Sequence, residues 1–195
     1  MRTGLDVVEI LAVSGSLRAE SSNSRLLRIA AELAPVGTSF RFFQALDELP
    51  HFNPDIDRVE DTPPPGVAAW RDAIRRADAL LISCPEYAHG VPGSFKNALD
   101  WLVSSAELME KPVLILNASP GGGEFAQSSL AETLRMLGAE ILGADSGLEP
   151  FLPPGFLKEP TDRETLSRIR RSIAGLCEAV FARRAQRDSR ATTAT

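Results

Sequence analysis

Five short apolar runs punctuate the chain, and between and after them apolar residues return at the three- and four-residue spacing of helices. The runs are Val7–Val13, Phe40–Phe43, Ala79–Ser83, Val113–Ala118 and Glu140–Leu142. Ala79–Ser83 stays apolar until its last residue, as a strand buried on both faces does. The helical stripes include Leu26, Leu27, Ala30 and Leu33, then Val67, Trp70 and Ile74, and near the end Leu166, Ile169, Ile173, Leu176 and Val180. Strand–helix alternation of this kind requires parallel strands, because each helical crossover returns the chain to the same edge, and helices must then cover both faces. The economical solution is an α/β three-layer sandwich whose five-stranded parallel sheet runs in the order 2-1-3-4-5, with its switch point between strands 1 and 3.

At 195 residues the chain is long enough for one such domain and short for two. No linker interrupts it, so residues 1–184 read as a single domain. Residues 185–195, small and polar, read as a C-terminal tail expected to be disordered. Leu46 to Gly66 is rich in proline and acid and is expected to be a long irregular loop, of the length that functional loops reach. A hydrophobic content of 44% with 24% charged residues is that of a folded globular protein. The net charge of −5, without a basic stripe, gives no reason to expect nucleic acid. No apolar run approaches the roughly 20 residues of a membrane span, and Met1–Asp6 shows no signal-peptide pattern, so no membrane partner and a cytoplasmic location are expected. Cys84 and Cys177 lie far apart in apolar surroundings and read as two buried thiols rather than a disulfide or metal pair. His51 and His89 are too few for a His-rich metal site, and no metal is expected.

The sheet order brings the loops after strands 1, 3 and 4 to one edge, and each has an unusual sequence. The first is dense in hydroxyls and amides: Ser14, Ser16, Ser21, Ser22, Asn23 and Ser24, with Arg18 among them. At a helix N-terminus such a loop offers free backbone N–H groups, the positive end of a dipole and side-chain donors. A phosphate dianion uses all three, and Arg18 adds a charge-assisted contact. An ordinary N-cap needs one such residue, not six. The Gly-x-Gly-x-x-Gly turn of dinucleotide domains and the Gly-x-x-x-x-Gly-Lys-Ser/Thr loop of triphosphatases are both missing. Pro85, Glu86, Tyr87, Ala88, His89 and Gly90 on one side, and Ser119, Pro120, Gly121, Gly122 and Gly123 on the other, can flank a planar ring, with Tyr87 and His89 as ring neighbours. Phosphate at one loop and a flat ring between two others describe a mononucleotide such as FMN.

These residues also resemble a known family. Gly15-Ser16-Leu17-Arg18-Ala19-Glu20-Ser21-Ser22-Asn23 is similar to the G-S-L-R-x-x-S-x-N phosphate loop of the NADPH-dependent FMN reductases. Pro85-Glu86-Tyr87, followed by Val91-Pro92-Gly93 and Lys96-Asn97-Ala98-Leu99-Asp100-Trp101, resembles their flavin loop. The similarity runs from Val7 to about Leu142. It implies a flavodoxin-like fold holding FMN, reduced by NADPH or NADH, usually as a homodimer or homotetramer. It also implies a small-molecule acceptor: a quinone, free flavin, azo compound or metal oxyanion such as chromate. The resemblance puts Ser16, Arg18, Ser21 and Asn23 at the phosphate, Pro85, Glu86 and Tyr87 beside the isoalloxazine, and Ser119 with Gly121 to Gly123 at the ring's other edge. The flavin then carries the chemistry, by ping-pong transfer, and no side-chain catalyst is obligatory.

The chain departs from the family at three places. Ala88 stands where many members have Asn, which removes one expected polar flavin contact. Ser104-Ser105 and Glu124-Phe125 stand where many members carry arginine, which leaves the choice between NADPH and NADH open. Lys96, Asn97, Asp100 and Trp101 read as structural, with Asn97 and Asp100 tying the loop above and Trp101 packing. His51 is expected in a loop near the site of a second subunit. Ser119 is not a nucleophile of the hydrolase kind, since no histidine follows it. The arginines of the last helix (Arg168, Arg170, Arg171, Arg183, Arg184) read as a solvated face. Two other readings stay open at this point: a non-enzymatic flavodoxin-like FMN-binding electron carrier or regulatory protein, and a flavin-free protein that uses the same loop for another phosphate.

Overall fold

Alternate residues of each central strand part to opposite faces of the sheet, and two separate cores follow from that. Leu11, Val13, Leu80, Ile82 and Val113 point into one core, where they meet Trp70, Ile74, Phe95, Trp101, Leu130 and Leu134. Ile10, Ala12, Ala79, Leu81, Leu114 and Leu116 point into the other, against Leu26, Leu27, Ala30, Ile169, Ile173, Leu176 and Val180. These are seen in a computed structural model that describes residues 7–58, 60, 62–119, 122–142 and 162–193.

In chain order the elements are β1 (Val8–Ser14), α1 (Ser22–Glu32), β2 (Thr38–Phe43), α2 (Pro65–Arg76), β3 (Ala79–Ser83), α3 (Gly93–Asp100), β4 (Pro112–Leu116), α4 (Glu124–Met136), β5 (Glu140–Leu142) and α5 (Arg163–Thr193). The sheet runs β2-β1-β3-β4-β5 and every pairing is parallel. Ile10 pairs with Phe40 on one side and Ala79 on the other, and Leu80 pairs with Val113. The expected flavodoxin-like order is therefore the observed one: α2, α3 and α4 cover one face, α1 and α5 the other. Among the described residues no helix is long and apolar enough to cross a membrane.

The structure differs from the sequence reading in three segments. Leu46–Glu48 and Pro54–Ile56 form single 3-10 turns within the stretch expected to be irregular, and Pro65 already opens α2. Buried Leu46 and Leu49 draw that stretch onto the core. The Phe52 amide donates to Asn97 Oδ1 (2.7 Å), and Asn97 Nδ2 and Trp101 Nε1 both donate to the Pro50 carbonyl (2.9 and 2.8 Å). Asn97 thus ties the segment before α2 rather than the loop just above its own helix, and Asp100 pairs with Lys96.

The second difference is α5, which continues to Thr193, so most of the expected tail is a helical extension; Ala185, Gln186 and Arg187 are good helix formers. The third is the arginine face of that helix, which is only partly solvated. Arg184 donates to the Val7 carbonyl and pairs with Asp78, and Arg183 reaches the Met109 carbonyl. Cys84 and Cys177 are both buried free thiols, and burial pushes the Cys84 thiol up to about 12.

Candidate functional site

Parallel strands deliver their following loops to the carboxyl edge, and three of those loops wall one cavity of about 340 Å³. That volume falls within the roughly 300–1,000 Å³ of small-molecule and cofactor sites. Its lining includes Ser16, Arg18, Ser21, Ser22 and Asn23 from the loop after β1, Pro85, Glu86 and Tyr87 from the loop after β3, and Ala118, Ser119 and Gly123 from the loop after β4.

The first loop is shaped by one close approach and one cap. The Gly15 amide donates to the Ser83 carbonyl (2.9 Å), which clamps the loop across the end of β3. Only glycine fits there, because a Cβ would lie 2.7 Å from Cys84 Sγ. Ser21 caps α1 by accepting from the Ser24 amide (3.4 Å), and the Ser21 carbonyl accepts from Arg25. Those bonds use two of the helix's early donors and leave the first-turn amides of Ser22 and Asn23 without helical partners beside the cavity. The buried Ser83 hydroxyl donates to Asn23 Oδ1 (2.9 Å), so the Asn23 amide group has its NH₂ left for the cavity.

The other two loops are held to each other. Glu86 Oε2 accepts from the Ala126 amide (2.9 Å) in the first turn of α4, a cap supplied from a different loop. Asn117 donates to the Gly122 carbonyl and accepts from the Ser119 amide (2.8 Å), which closes the loop after β4. Gly123 takes a left-handed conformation (φ 62°) and starts α4. The loop after β3 carries a two-residue hairpin. Tyr87 and Gly90 exchange both backbone hydrogen bonds (3.1 and 3.0 Å), with Ala88 and His89 between them at φ 50° and 60°. That is the turn geometry that Asn or Gly favours, and Ala88 and His89 adopt it here. His89 stacks on Phe125 with ring centroids 4.3 Å apart.

The structure sorts the residues singled out in the sequence into groups. Ser16, Arg18, Ser21, Ser22, Asn23, Pro85, Glu86, Tyr87, Ser119 and Gly123 line the common cavity. Ser14 and Ser24 face a neighbouring cavity between the loops after β1 and β2, and Ser14 Oγ accepts from the Ser16 amide (3.3 Å). Ala88, His89 and Gly90 belong to the projecting turn and do not line the cavity, while Gly122 contributes its carbonyl to Asn117. Pro120 and Gly121 lie outside the described residues. Sequence reasoning missed Ala118 and Asn117. The signal for Asn117 was a polar residue at the end of an apolar strand, where a side chain that bridges a glycine loop is useful.

The donor set suits an FMN phosphate. Around the first loop the wall offers amides, hydroxyls and the Arg18 guanidinium, and the one carboxylate of the lining, Glu86, is engaged by the Ala126 amide. Tyr87, in the cavity lining, is 57% exposed, and Phe125, stacked on His89 of the same turn, is 59% exposed.

Comparison with known proteins points the same way. The sequence model of the family described as NADPH-dependent FMN reductase matches residues 8–149. An NAD(P)H-dependent FMN reductase of Pseudomonas aeruginosa is 40% identical over 136 residues, 68% of this chain and 72% of that protein. A quinone reductase of Escherichia coli K12 is 32% identical over 162 residues, 81% of this chain and 83% of its own length. Among solved structures, the flavoenzyme NAD(P)H:(acceptor) oxidoreductase of Paracoccus denitrificans aligns with a TM-score of 0.76 at 26% identity, over 90% of this chain and 98% of that one.

Proposed function

The chain belongs to the NADPH-dependent FMN reductase family, and from that premise we propose that its carboxyl-edge cavity holds FMN and passes electrons from NAD(P)H to a small acceptor. The protein is an oxidoreductase of the FMN- and NAD(P)H-using kind. The acceptor is a quinone, free flavin, azo compound or metal oxyanion such as chromate, and the two half-reactions alternate at one site in ping-pong fashion. The observation that carries this reading is the convergence of three loops on one cavity, with hydroxyls, amides and the Arg18 guanidinium, and no carboxylate, on the loop after β1.

The residues divide the work. Ser16, Arg18 and the amides of Ser22 and Asn23 hold the phosphate, and the Ser83 hydroxyl orients Asn23 for that task. Pro85, Tyr87, Ser119 and Gly123 border the ring, and Glu86 and Asn117 hold those two loops in place from behind. When bound, FMN supplies the hydride chemistry, which no protein side chain can. The chain's own contribution is to bind and orient the cofactor and to leave room over the ring for donor and acceptor in turn. A second copy covering Tyr87 and Phe125 would shield the ring, in line with a homodimer or homotetramer. Two buried reduced thiols accord with a cytoplasmic setting.

The test is spectroscopic. The full chain is mixed with FMN, freed of excess, and read in the visible flavin bands before and after NADPH is added without oxygen, then after a quinone is added. Bound bands that bleach and return support the proposal. Bound bands that ignore NADPH and NADH indicate an electron carrier, and failure to bind FMN at all overturns the reading.

A further inference from the structure

At the opposite edge, where the strands begin, a second cavity of about 490 Å³ opens between the end of α2, the segment before β4 and the outer turns of α5. It lies at the far end of β3 and β4 from the FMN site, and the family reading gives it no task. Arg75, Lys111, Arg183 and Arg187 line it against two acids, Asp78 and Glu107. Both acids are already engaged. Asp78 Oδ2 accepts from Arg184 and from the Glu9 amide (2.8 Å each), and Glu107 Oε1 accepts from Arg75 (3.0 Å).

What remains is a wall with unmet demands of both kinds. Arg183 spends a terminal nitrogen on the Met109 carbonyl (2.8 Å), but its Nε is buried with no partner. The Glu107 side chain is 8% exposed, and its Oε2 is likewise buried and unpartnered. The Arg187 side chain forms no hydrogen bond or ion pair among the described residues, yet it stands close enough to Arg183 and Lys111 to disfavour charge on each. Buried polar atoms seldom stay unpaired, and clustered cations repel unless an anion joins them. An oxyanion answers Arg183, Arg187 and Lys111, whereas the Glu107 oxygen demands a hydrogen-bond donor. A simple anion such as sulfate supplies only the first. A phosphate ester that also carries hydroxyls supplies both, and the cavity has room for a sugar.

We propose that this amino-terminal-edge cavity is a binding site for a hydroxylated phosphate ester, with the phosphate on Arg183 and Arg187 and a hydroxyl donating to Glu107 Oε2. Lys111 supplies a second signature. Its ammonium donates to the Ile74 (2.8 Å) and Ala77 carbonyls at the end of α2. Burial first, then Arg183 and Arg187, against Asp78 and Glu107, pull it down to about 8. A phosphate in the cavity favours the charged ammonium, so binding near pH 8 takes up protons.

Thermal shift and calorimetric titration of the full chain test the proposal, with ribose 5-phosphate, 5′-AMP, methyl phosphate and sulfate as probes at matched ionic strength. Ribose 5-phosphate should raise the melting temperature and bind with proton uptake at pH 8. Methyl phosphate, which has no hydroxyl, should bind about tenfold more weakly. R187A, at an exposed position without bonds to lose, should weaken ribose 5-phosphate by about tenfold. R18A, in the other cavity, should leave that binding unchanged, whether or not FMN binds there. Tighter binding of AMP than of ribose 5-phosphate assigns the site to nucleotides, and equal binding assigns it to sugar phosphates. The proposal is overturned if ribose 5-phosphate has no effect, if R187A binds it like the wild type, if R18A abolishes binding, or if methyl phosphate or sulfate binds equally well.

Discussion

Gly15→Ala asks whether the loop after β1 is held by the close approach seen at the end of β3. An added methyl would lie 2.7 Å from Cys84 Sγ, 3.2 Å from Phe95 Cδ1 and 3.3 Å from Cys84 Cα. The first contact is about 1 Å inside the ordinary carbon separation of roughly 3.5–4.0 Å. Neither side can yield easily: Cys84 and Phe95 are fully buried, and the Gly15 amide is bonded to the Ser83 carbonyl. Overpacking of this kind costs about 1–3 kcal/mol. Cys84→Ala removes the worst contact and leaves two at distances where small shifts suffice. The double variant should therefore be less destabilised than the sum of the singles, with a coupling of about 1–2 kcal/mol. Urea unfolding of the wild type, both singles and the double measures this directly. Additivity to within about 0.5 kcal/mol would show that the loop does not press on Cys84 as described. FMN titration of the same four proteins should show affinity falling in Gly15→Ala and partly returning in the double variant.

Three further expectations rest on other parts of the molecule. Ala88→Gly relieves a left-handed alanine (φ 50°); a cost of about 1–2 kcal/mol is removed and about 0.4–1 kcal/mol is returned through the freer unfolded chain, so the melting temperature should rise slightly. Asn97→Ala strips the Phe52 amide and the Pro50 carbonyl of a shared partner; a loss of about 1–3 kcal/mol and faster amide exchange at Phe52 are expected. Lys111 is held down to about 8 in the folded protein against 10.5 in the unfolded chain. Between those values the unfolded state binds more protons, so this residue's contribution makes stability rise from pH 8 to pH 10.5. Chemical denaturation across that window should show the rise in the wild type relative to Lys111→Met, and parallel curves would refute it.

Much of the site could be read from the sequence because its parts are local. A run of hydroxyls before an amphipathic stripe marks a helix start with spare donors, and Ser21 indeed caps α1 while Ser16, Ser22 and Asn23 face the cavity. Local pattern failed where a partner lay far along the chain. Glu86 sits in the expected loop, yet its carboxylate caps α4, forty residues on. The amide of Asn97 bonds Pro50 and Phe52 in a segment that periodicity left without structure. Ala88 and His89 show the same limit: nothing in their side chains announces positive φ, which the Tyr87–Gly90 backbone bridge imposes.

Strand–helix alternation by itself called for a parallel sheet with ligands at its carboxyl edge, because chain crossover allows few other solutions, and it made 2-1-3-4-5 the economical order that the structure then adopts. Tertiary structure alone decided which hydroxyls face the cavity and which side chains merely brace it. It also brought Arg183 and Arg187 beside Lys111 and Glu107, some seventy residues away, to shape a second cavity. The physical reason is reach: periodicity and caps act within a turn or two of helix, whereas burial, orphaned polar atoms and clustered charge arise only when distant segments pack.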